Sequence, residues 1–452
     1  MNSTLKWIWL AEKCGAGSTE LLRLVEKLGN INDIFEADYD GYCETGISER
    51  LCEDLCDKDL GKAMKILSYC QSAGVFVLTY DSERYPVSLR SLKDPPAVLY
   101  GLGELPDLNK RLCISVVGTR TMSEYGMRAA YKIAYEVAST DAVVVSGMAL
   151  GIDGIASCAA IAAGGKTVAV LGCGIDRVYP ASHKKLWEAI RRHGAVITEF
   201  APTVEPRGMN FPIRNRIISG LGQGTVVIDA DLDSGAMITA KRAILQGRDI
   251  YAVPANIDSQ NSSGTNSLIR DGAQAVLCGN DIIRNYMYLY RDRLNTVALM
   301  KAEKRSDIDL DFVAKMGVSV KTPLSGTKKS VVSDYEAEKK SAKTQRPSSP
   351  KPEAVAERSN AAVENPEKVD PYFEKDRELP KSEKKGDDSA AALAKLSEKQ
   401  RKIFDEMPLD RAVTVDYLTK TGFALGEVIS ALTVLEIKGL VSSLPGALYI
   451  RK

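Results

Sequence analysis

The sequence contains very few histidines and almost no net charge. Only His183 and His193 occur in 452 residues. Zinc sites in enzymes draw heavily on histidine, and a serine or cysteine triad needs a histidine base. The chain therefore gives little support for a zinc enzyme or a triad enzyme. The 60 Lys and Arg residues stand against 59 Asp and Glu, which leaves a net charge of +1 and excludes a polycation that holds nucleic acid by bulk charge.

Paired cysteines and long apolar runs are missing too. The nine cysteines are an odd number, and no CxxC occurs, which argues against a disulfide framework or a zinc knuckle. No apolar run reaches the ~18 residues of a membrane span, and nothing before Cys14 resembles a signal peptide. We expect a protein of the reducing cytoplasm, without a metal, a cofactor or a membrane association.

The length predicts about three domains, and the first is helical. Residues 1–80 show helical periodicity with glycine turns, typical of a sterile-alpha-motif or helix-hairpin-helix domain. The latter would contact DNA through its turns, but residues 1–100 carry 11 basic and 16 acidic side chains. Because this charge repels phosphate, we favour a structural or partner-docking role over DNA contact.

Residues 81–290 alternate strand and helix patterns. Short apolar runs, most of them rich in valine and isoleucine, recur at 112–117, 142–146, 167–171, 195–198, 225–229 and 249–253. Helical periodicity separates most of these runs. The pattern predicts an α/β fold with a Rossmann-like, doubly wound, mostly parallel sheet. In such sheets ligands bind at the carboxyl ends of the strands.

The C-terminal third changes in composition. Residues 305–390 lose apolar periodicity and are rich in Lys, Glu, Ser and Pro, which predicts a disordered polyampholyte linker. Residues 393–452 then show three helices and a β-ribbon, the pattern of a winged-helix domain. Its third helix, 426–438, has one basic residue. We therefore favour protein interaction over base reading for this domain.

Two loops after predicted strands carry phosphate-binding features. Gly118, Thr119 and Arg120 follow the first strand and offer backbone, hydroxyl and guanidinium donors. Ser146 and Gly147 follow the second strand and precede a helix whose free amides attract anions. Ordinary strand-to-helix turns are the alternative for both loops.

Arginines and an aromatic residue gather at 211–216. Arg214 and Arg216 flank Asn215, just after Phe211. Guanidinium groups bind phosphate in bidentate fashion, and a phenyl ring stacks on bases. A surface salt-bridge cluster at a helix start is the alternative. Further along, Asp229 and two alternating acids suggest a metal site, but a helix cap at 234–235 is simpler.

Taken in order, these motifs resemble those of the DNA-processing protein A family, also called DprA or Smf. The resemblance covers roughly residues 80–285. The matching residues are Val117 to Arg120, Ser123, Tyr125-Gly126, Ser146-Gly147, Ala149, Gly151 to Asp153, Tyr179-Pro180, Phe211-Pro212, Arg214 to Arg216, Ser234-Gly235, Thr239-Ala240, Ala252 to Pro254, Gly264 to Asn266, Leu268-Ile269 and Gly272-Ala273.

The resemblance implies a Rossmann-like domain that binds single-stranded DNA and forms a homodimer. It implies protection of incoming DNA and loading of the recombinase RecA during natural transformation, alongside single-strand-binding protein. The DNA-binding residues that we predict are Gly118, Thr119, Arg120, Ser146, Gly147, Lys184, Phe211, Arg214, Asn215 and Arg216. Leu268 and Ile269 are expected at the dimer interface.

Two other function classes compete with this non-enzymatic hypothesis. One is a Rossmann-like nucleotide-processing enzyme, but the Pro-Gly-Gly-x-Gly-Thr-x-x-Glu stretch that such a resemblance would require is absent from the sequence. The other is a DNA-binding regulator that uses its winged helix. The base-poor third helix of that domain argues against it.

Overall fold

The computed structural model describes two compact units, Met1–Glu336 and Ala337–Lys452. Its described residues are 2–259, 261–319, 396–408, 413–414, 417–418, 423, 425–438, 440–444 and 448–451. Within these residues, no helix is both long enough and apolar enough to cross a membrane.

Six helices open the first unit. They are α1 (Ser3–Cys14), α2 (Glu20–Leu28), α3 (Ile31–Glu36), α4 (Tyr39–Cys43), α5 (Glu49–Cys56) and α6 (Gly61–Ser72). Asn2 caps α1 by accepting a hydrogen bond from the Thr4 amide. The buried face of α1, including Trp7 and Trp9, belongs to the same apolar core as Val98 and Tyr100 of the sheet. The helices therefore share a core with the domain that follows.

A nine-stranded sheet is the centre of this unit. Its strands are β1 (Phe76–Thr79), β2 (Val98–Gly103), β3 (Cys113–Gly118), β4 (Val143–Ser146), β5 (Lys166–Val170), β6 (Gly194–Thr198), β7 (Gly224–Ile228), β8 (Asp249–Ala252) and β9 (Gln274–Ala275). They lie in the order β1-β2-β6-β5-β4-β3-β7-β8-β9. Strands β3 to β9 pair in parallel, and β1 and β2 extend one edge in antiparallel fashion. The predicted Rossmann-like, mostly parallel sheet is confirmed.

The strand order reverses at β3. From β3 the chain passes to β4, β5 and β6 on one side, and then returns to β7 and β8 on the other. Such a reversal opens a crevice at the carboxyl ends of the central strands. Gly118 ends β3 and Ile228 ends β7 at this edge.

Helices cover the sheet. They are α7 (Val87–Arg90), α8 (Glu124–Ser139), α9 (Ile152–Ala162), α10 (Lys184–His193), α11 (Asn210–Leu221), α12 (Gly235–Leu245), α13 (Ser263–Arg270), α14 (Gly279–Ile283), α15 (Thr296–Ala302) and α16 (Leu310–Lys315), with a 3-10 turn at Ala181–His183 before α10. Every residue of β4, β6 and β7 is buried, as expected of strands covered on both faces.

Helix α16 and Ser306 correct the predicted start of the linker. Helix α16 lies inside the segment expected to be disordered from residue 305, and its Val313 is fully buried. Ser306 Oγ also donates to the buried carboxylate of Glu136, at 3.0 Å. Because this segment contains few apolar residues, its sequence does not predict that it packs against the domain. The predicted linker from residue 320 to 390 lies outside the described residues.

The second unit has the winged-helix architecture that the sequence predicts. Its described elements are α17 (Glu398–Asp405), β10 (Val413–Thr414), α18 (Leu425–Ile437), β11 (Val441–Leu444) and β12 (Leu448–Arg451), and the strands lie in the order β10-β12-β11. Ser397 and Gln400 form a reciprocal capping box at the start of α17. The predicted middle helix, near 415–421, falls mostly outside the described residues.

Candidate nucleic-acid interface

Three loops that follow β3, β4 and β5 meet at the carboxyl edge of the sheet. The Ile152 amide donates to the Thr119 carbonyl at 3.2 Å, which joins the first two loops. Arg214 of α11 donates through Nη1 to the Gly147 carbonyl at 2.7 Å and also to the Val170 carbonyl, which joins the second loop to the end of β5. We call the space bordered by Arg120, Gly147, Gly172, Phe211 and Arg214 the loop pocket.

Glycine is required where these loops pack most closely. A Cβ atom on Gly118 would lie 2.0 Å from the Ile228 carbonyl oxygen, and one on Gly147 would lie 2.5 Å from Arg214 Nη1. Both distances are far below van der Waals contact. The glycines therefore bring the backbone close together where a ligand would approach.

Arg120 and Phe211 lie side by side in the pocket. Arg120 is exposed, and its Cζ lies 5.4 Å from the centroid of the Phe211 ring. Arg214 Cζ lies 5.7 Å from the same centroid, and the Tyr179 ring is 5.4 Å away. The pocket thus presents cationic groups beside aromatic surface, a combination suited to a phosphate and an adjoining base.

Arg214 lies in the pocket wall, but it is mainly a structural clamp. It is only 4 % exposed, and besides its two carbonyl contacts its Nε donates to Asn215 Oδ1 at 3.2 Å. Burial lowers the pKa of Arg214 to about 10, although the nearby Asp153 carboxylate acts in the opposite direction. The guanidinium therefore stays charged at neutral pH while several of its donors are used within the protein.

Arg216 does not take the place that the sequence predicts. Its side chain is 1 % exposed, Nη2 lies 2.5 Å from both carboxylate oxygens of Glu199, and Nε lies 3.6 Å from Asp94. Arg214 and Arg216 are two residues apart on a helix and point in different directions. The structure thus places Arg216 in a buried ion pair and not at the loop pocket.

Other predicted residues act through the backbone or stand apart. Ser146 is fully buried, and its hydroxyl donates to the Val116 carbonyl at 2.7 Å. The Thr119 amide donates to the Asp229 carbonyl at 2.9 Å. Lys184 is exposed at the first turn of α10, and within the described part of the chain no hydrogen bond joins it to the loop pocket.

Asp153 and Asp229 are site residues that the sequence prediction missed. Asp153 accepts from the Gly147 amide at 3.0 Å, and burial raises its pKa while Arg214 opposes the change. Asp229 has a positive φ of 54° and accepts from the Ser123 amide at 2.5 Å, at the start of α8. Asp153 belongs to the matching motif Gly151 to Asp153, and Asp229 stood out in the sequence only as one of three alternating acids. In the structure Asp229 orients the start of α8. The described residues contain no cluster of three or more side chains able to hold a metal.

His183 also supports the loop after β4. It is fully buried, and its Nδ1 lies 3.1 Å from the carbonyl oxygen of Met148, a residue with φ of 53°. Burial lowers the pKa of His183, so the neutral ring acts as a hydrogen-bonded support. The sequence did not predict this supporting role of His183.

The predicted dimer residues face inward. Leu268 is 7 % exposed and packs in the core on one side of the sheet, and Ile269 is half-buried against that core. Little of the Leu268 side chain is available to a partner. Part of the Ile269 side chain is exposed, and the dimer interface stays a prediction.

Comparison with known proteins identifies the family of this chain. The family described as DNA recombination-mediator protein A matches residues 76–287, and the DprA winged helix domain matches 387–447. The DNA processing protein DprA of Bacillus subtilis is 36 % identical over 232 residues, which covers 50 % of this chain and 78 % of that protein. DprA of Streptococcus pneumoniae is 39 % identical over 204 residues, 45 % of this chain and 72 % of that protein.

A solved structure agrees with this result. The X-ray structure of DprA from Streptococcus pneumoniae superimposes with a TM-score of 0.56 at 32 % identity, covering 63 % of this chain and 98 % of that one. Fold and family match together define a Rossmann-like, DNA-binding recombination mediator. The chain belongs to the DprA/Smf family of DNA-processing proteins.

Proposed function

We propose that this protein binds single-stranded DNA in the loop pocket, protects incoming strands and loads RecA onto them during natural transformation. The observation that carries the proposal is the pairing of exposed Arg120 with the Phe211 ring at 5.4 Å. A cytoplasmic homodimer that also meets single-strand-binding protein is part of the proposal. In a homodimer, the loop pockets of the two protomers could bind the same strand. Once one pocket is occupied, the strand is held near the second pocket at a high effective concentration, which raises the overall affinity.

The pocket suits a single strand better than a duplex. Arginine binds the phosphate regardless of sequence, while an aromatic ring needs an unstacked base as its partner. Residues 101–290 hold 19 basic and 17 acidic side chains, so the domain offers no broad positive surface to a duplex. Affinity then depends on a few groups focused in one pocket.

A role without catalysis is supported by the chemistry near the pocket. Cys173 lies in the loop that follows β5. Burial raises the pKa of its thiol to about 11, which opposes formation of a nucleophilic thiolate. His183 is engaged with Met148. The alternative of a nucleotide-processing enzyme would be supported by turnover of nucleotides or DNA by the purified protein.

Competition between strand types tests the proposal. Fluorescence anisotropy at one fixed salt concentration should show tighter binding to a single-stranded oligonucleotide than to its duplex. Arg120→Ala should weaken single-strand binding about tenfold, while Arg50→Ala, an exposed arginine of α5, should not. Preferential duplex binding, or equal affinities for Arg120→Ala and the unaltered protein, would contradict the pocket assignment.

A further inference from the structure

A cavity of about 460 Å³ lies between the α1–α2 turn and the loop that joins β6 to α11. We call it the α1–α11 cavity. Its wall combines apolar residues with a few polar ones, and both ends of the chain segment 199–210 contribute to it. The cavity is separate from the loop pocket, because Arg120, Gly147, Phe211 and Arg214 do not line it.

The cavity and the loop pocket are nevertheless neighbours. Asn210 lines the cavity, and its Nδ2 donates to the carbonyl of Gly172, which borders the loop pocket, at 3.1 Å. Phe211, the next residue, packs against Gly172 from the pocket side. Two consecutive residues of α11 thus contribute to the two sites, one to each.

The apolar part of the wall suits a base better than a phosphate. Leu21, Pro95 and Phe200 line the cavity, and a flat aromatic base gains from such surface while a phosphate does not. Two of the three glutamates in the wall already have cationic partners, because Glu199 is paired with Arg216 and Glu12 with Lys62.

The lip of the cavity contains a strained residue. Thr203 lines the cavity and has a positive φ of 75°, a rare conformation for a β-branched residue. Its amide donates to Asp176 Oδ1 at 2.8 Å, which holds the turn in place. Backbone strain of this kind persists where surrounding contacts fix it, and it concentrates at ligand-binding sites.

We propose that the α1–α11 cavity receives one base of the strand whose phosphate occupies the loop pocket. The proposal rests on the proposed single-strand binding. It gives the N-terminal helices a direct part in DNA recognition, although their net charge disfavours contact with phosphate. The base enters between α1 and the sheet while the backbone stays at the loops.

Filling the cavity tests the proposal. Ala16 is half-buried in the α1–α2 turn and lines the cavity, so Ala16→Trp should occupy the space meant for the base. With the full chain, affinity for an oligodeoxyadenylate should fall at least about fivefold, because one base stack is lost. Affinity for an abasic strand of equal length should stay within about twofold. Ala73→Trp, at an exposed position after α6, should change neither.

A second variant keeps the test valid if Ala16→Trp does not fold. Met209 lines the cavity and is 69 % exposed, so Met209→Ala should fold normally and lower only oligodeoxyadenylate binding, by about twofold. Unchanged adenylate binding in both variants, or equal losses for adenylate and abasic strands, would overturn the base site. If the unaltered protein bound neither strand, the proposed function itself would fail.

Discussion

Arg214 Nη1 donates to the carbonyl oxygen of Gly147 at 2.7 Å. The same nitrogen contacts the Val170 carbonyl, and the guanidinium interacts electrostatically with the buried Asp153. One side chain of α11 thus fixes the ends of β4 and β5 relative to each other. The loop pocket is a preorganised site whose shape depends on this contact.

Arg214→Ala should therefore destabilise the fold. The substitution removes charged hydrogen bonds to the Gly147 and Val170 carbonyls and the electrostatic interaction with Asp153, and a hydrogen bond to a charged group contributes about 1.5–3 kcal/mol. Urea denaturation at pH 7 should show a loss of this size in the free energy of unfolding. Arg120→Ala, at an exposed position, should change it by less than about 0.5 kcal/mol. Equal stabilities for the two variants would mean that Arg214 is not a structural clamp.

The docking of the segment after α14 should depend on pH. Glu136 is fully buried and accepts from the Gly279 amide and Ser306 Oγ, and burial raises its pKa in the folded chain. A raised pKa means that the folded state binds the proton more tightly. The contribution of Glu136 to the free energy of unfolding is thus largest below the unfolded pKa of ~4.3 and is lost as pH rises through the folded pKa, by at most about 1.4 kcal/mol per pH unit.

Glu136→Gln isolates this effect, because glutamine keeps the size and a hydrogen-bonding oxygen without titrating. From pH 4 upward, the free energy of unfolding of the unaltered protein should fall relative to that of Glu136→Gln as the pH rises. Parallel pH profiles for the two proteins would show that Glu136 keeps an ordinary pKa.

Deleting residues 391–452 should leave single-strand binding largely intact. The loop pocket lies wholly in the first unit, and α18 carries Glu427 and Glu436 among its residues, a poor surface for phosphate. Anisotropy titrations of the truncated and full chains should agree within about threefold. Loss of binding on truncation would assign the DNA site to the winged helix.

The sequence predicted the parallel strands β3 to β8 within a few residues because buried valine and isoleucine runs have a distinct pattern, but not the two-residue β9. It also predicted that Arg120 and Phe211 belong to one site, since strand ends converge in a doubly wound sheet. Strand β2 went unpredicted: Val98–Gly103 follows two prolines and contains two glycines. Its pairing with β6 in antiparallel fashion is decided by contacts distant in sequence.

The role of Arg216 could not be predicted for the same reason. Its partners are Glu199, 17 positions earlier, and Asp94, more distant still. No local spacing connects these residues. The sequence of a motif with two arginines is the same whether both side chains face a ligand or one is buried against carboxylates. Only the tertiary packing distinguishes these two cases.

The central claim is that Arg120 neutralises a phosphate of single-stranded DNA, and the salt dependence of binding tests it most directly. For single strands, log K falls with log salt by about 0.7 per phosphate contact. Arg120→Ala should therefore reduce the magnitude of this slope by about 0.7, while Arg120→Lys keeps the slope and loses affinity because it lacks the bidentate guanidinium. Identical slopes for Arg120→Ala and the unaltered protein would contradict the account.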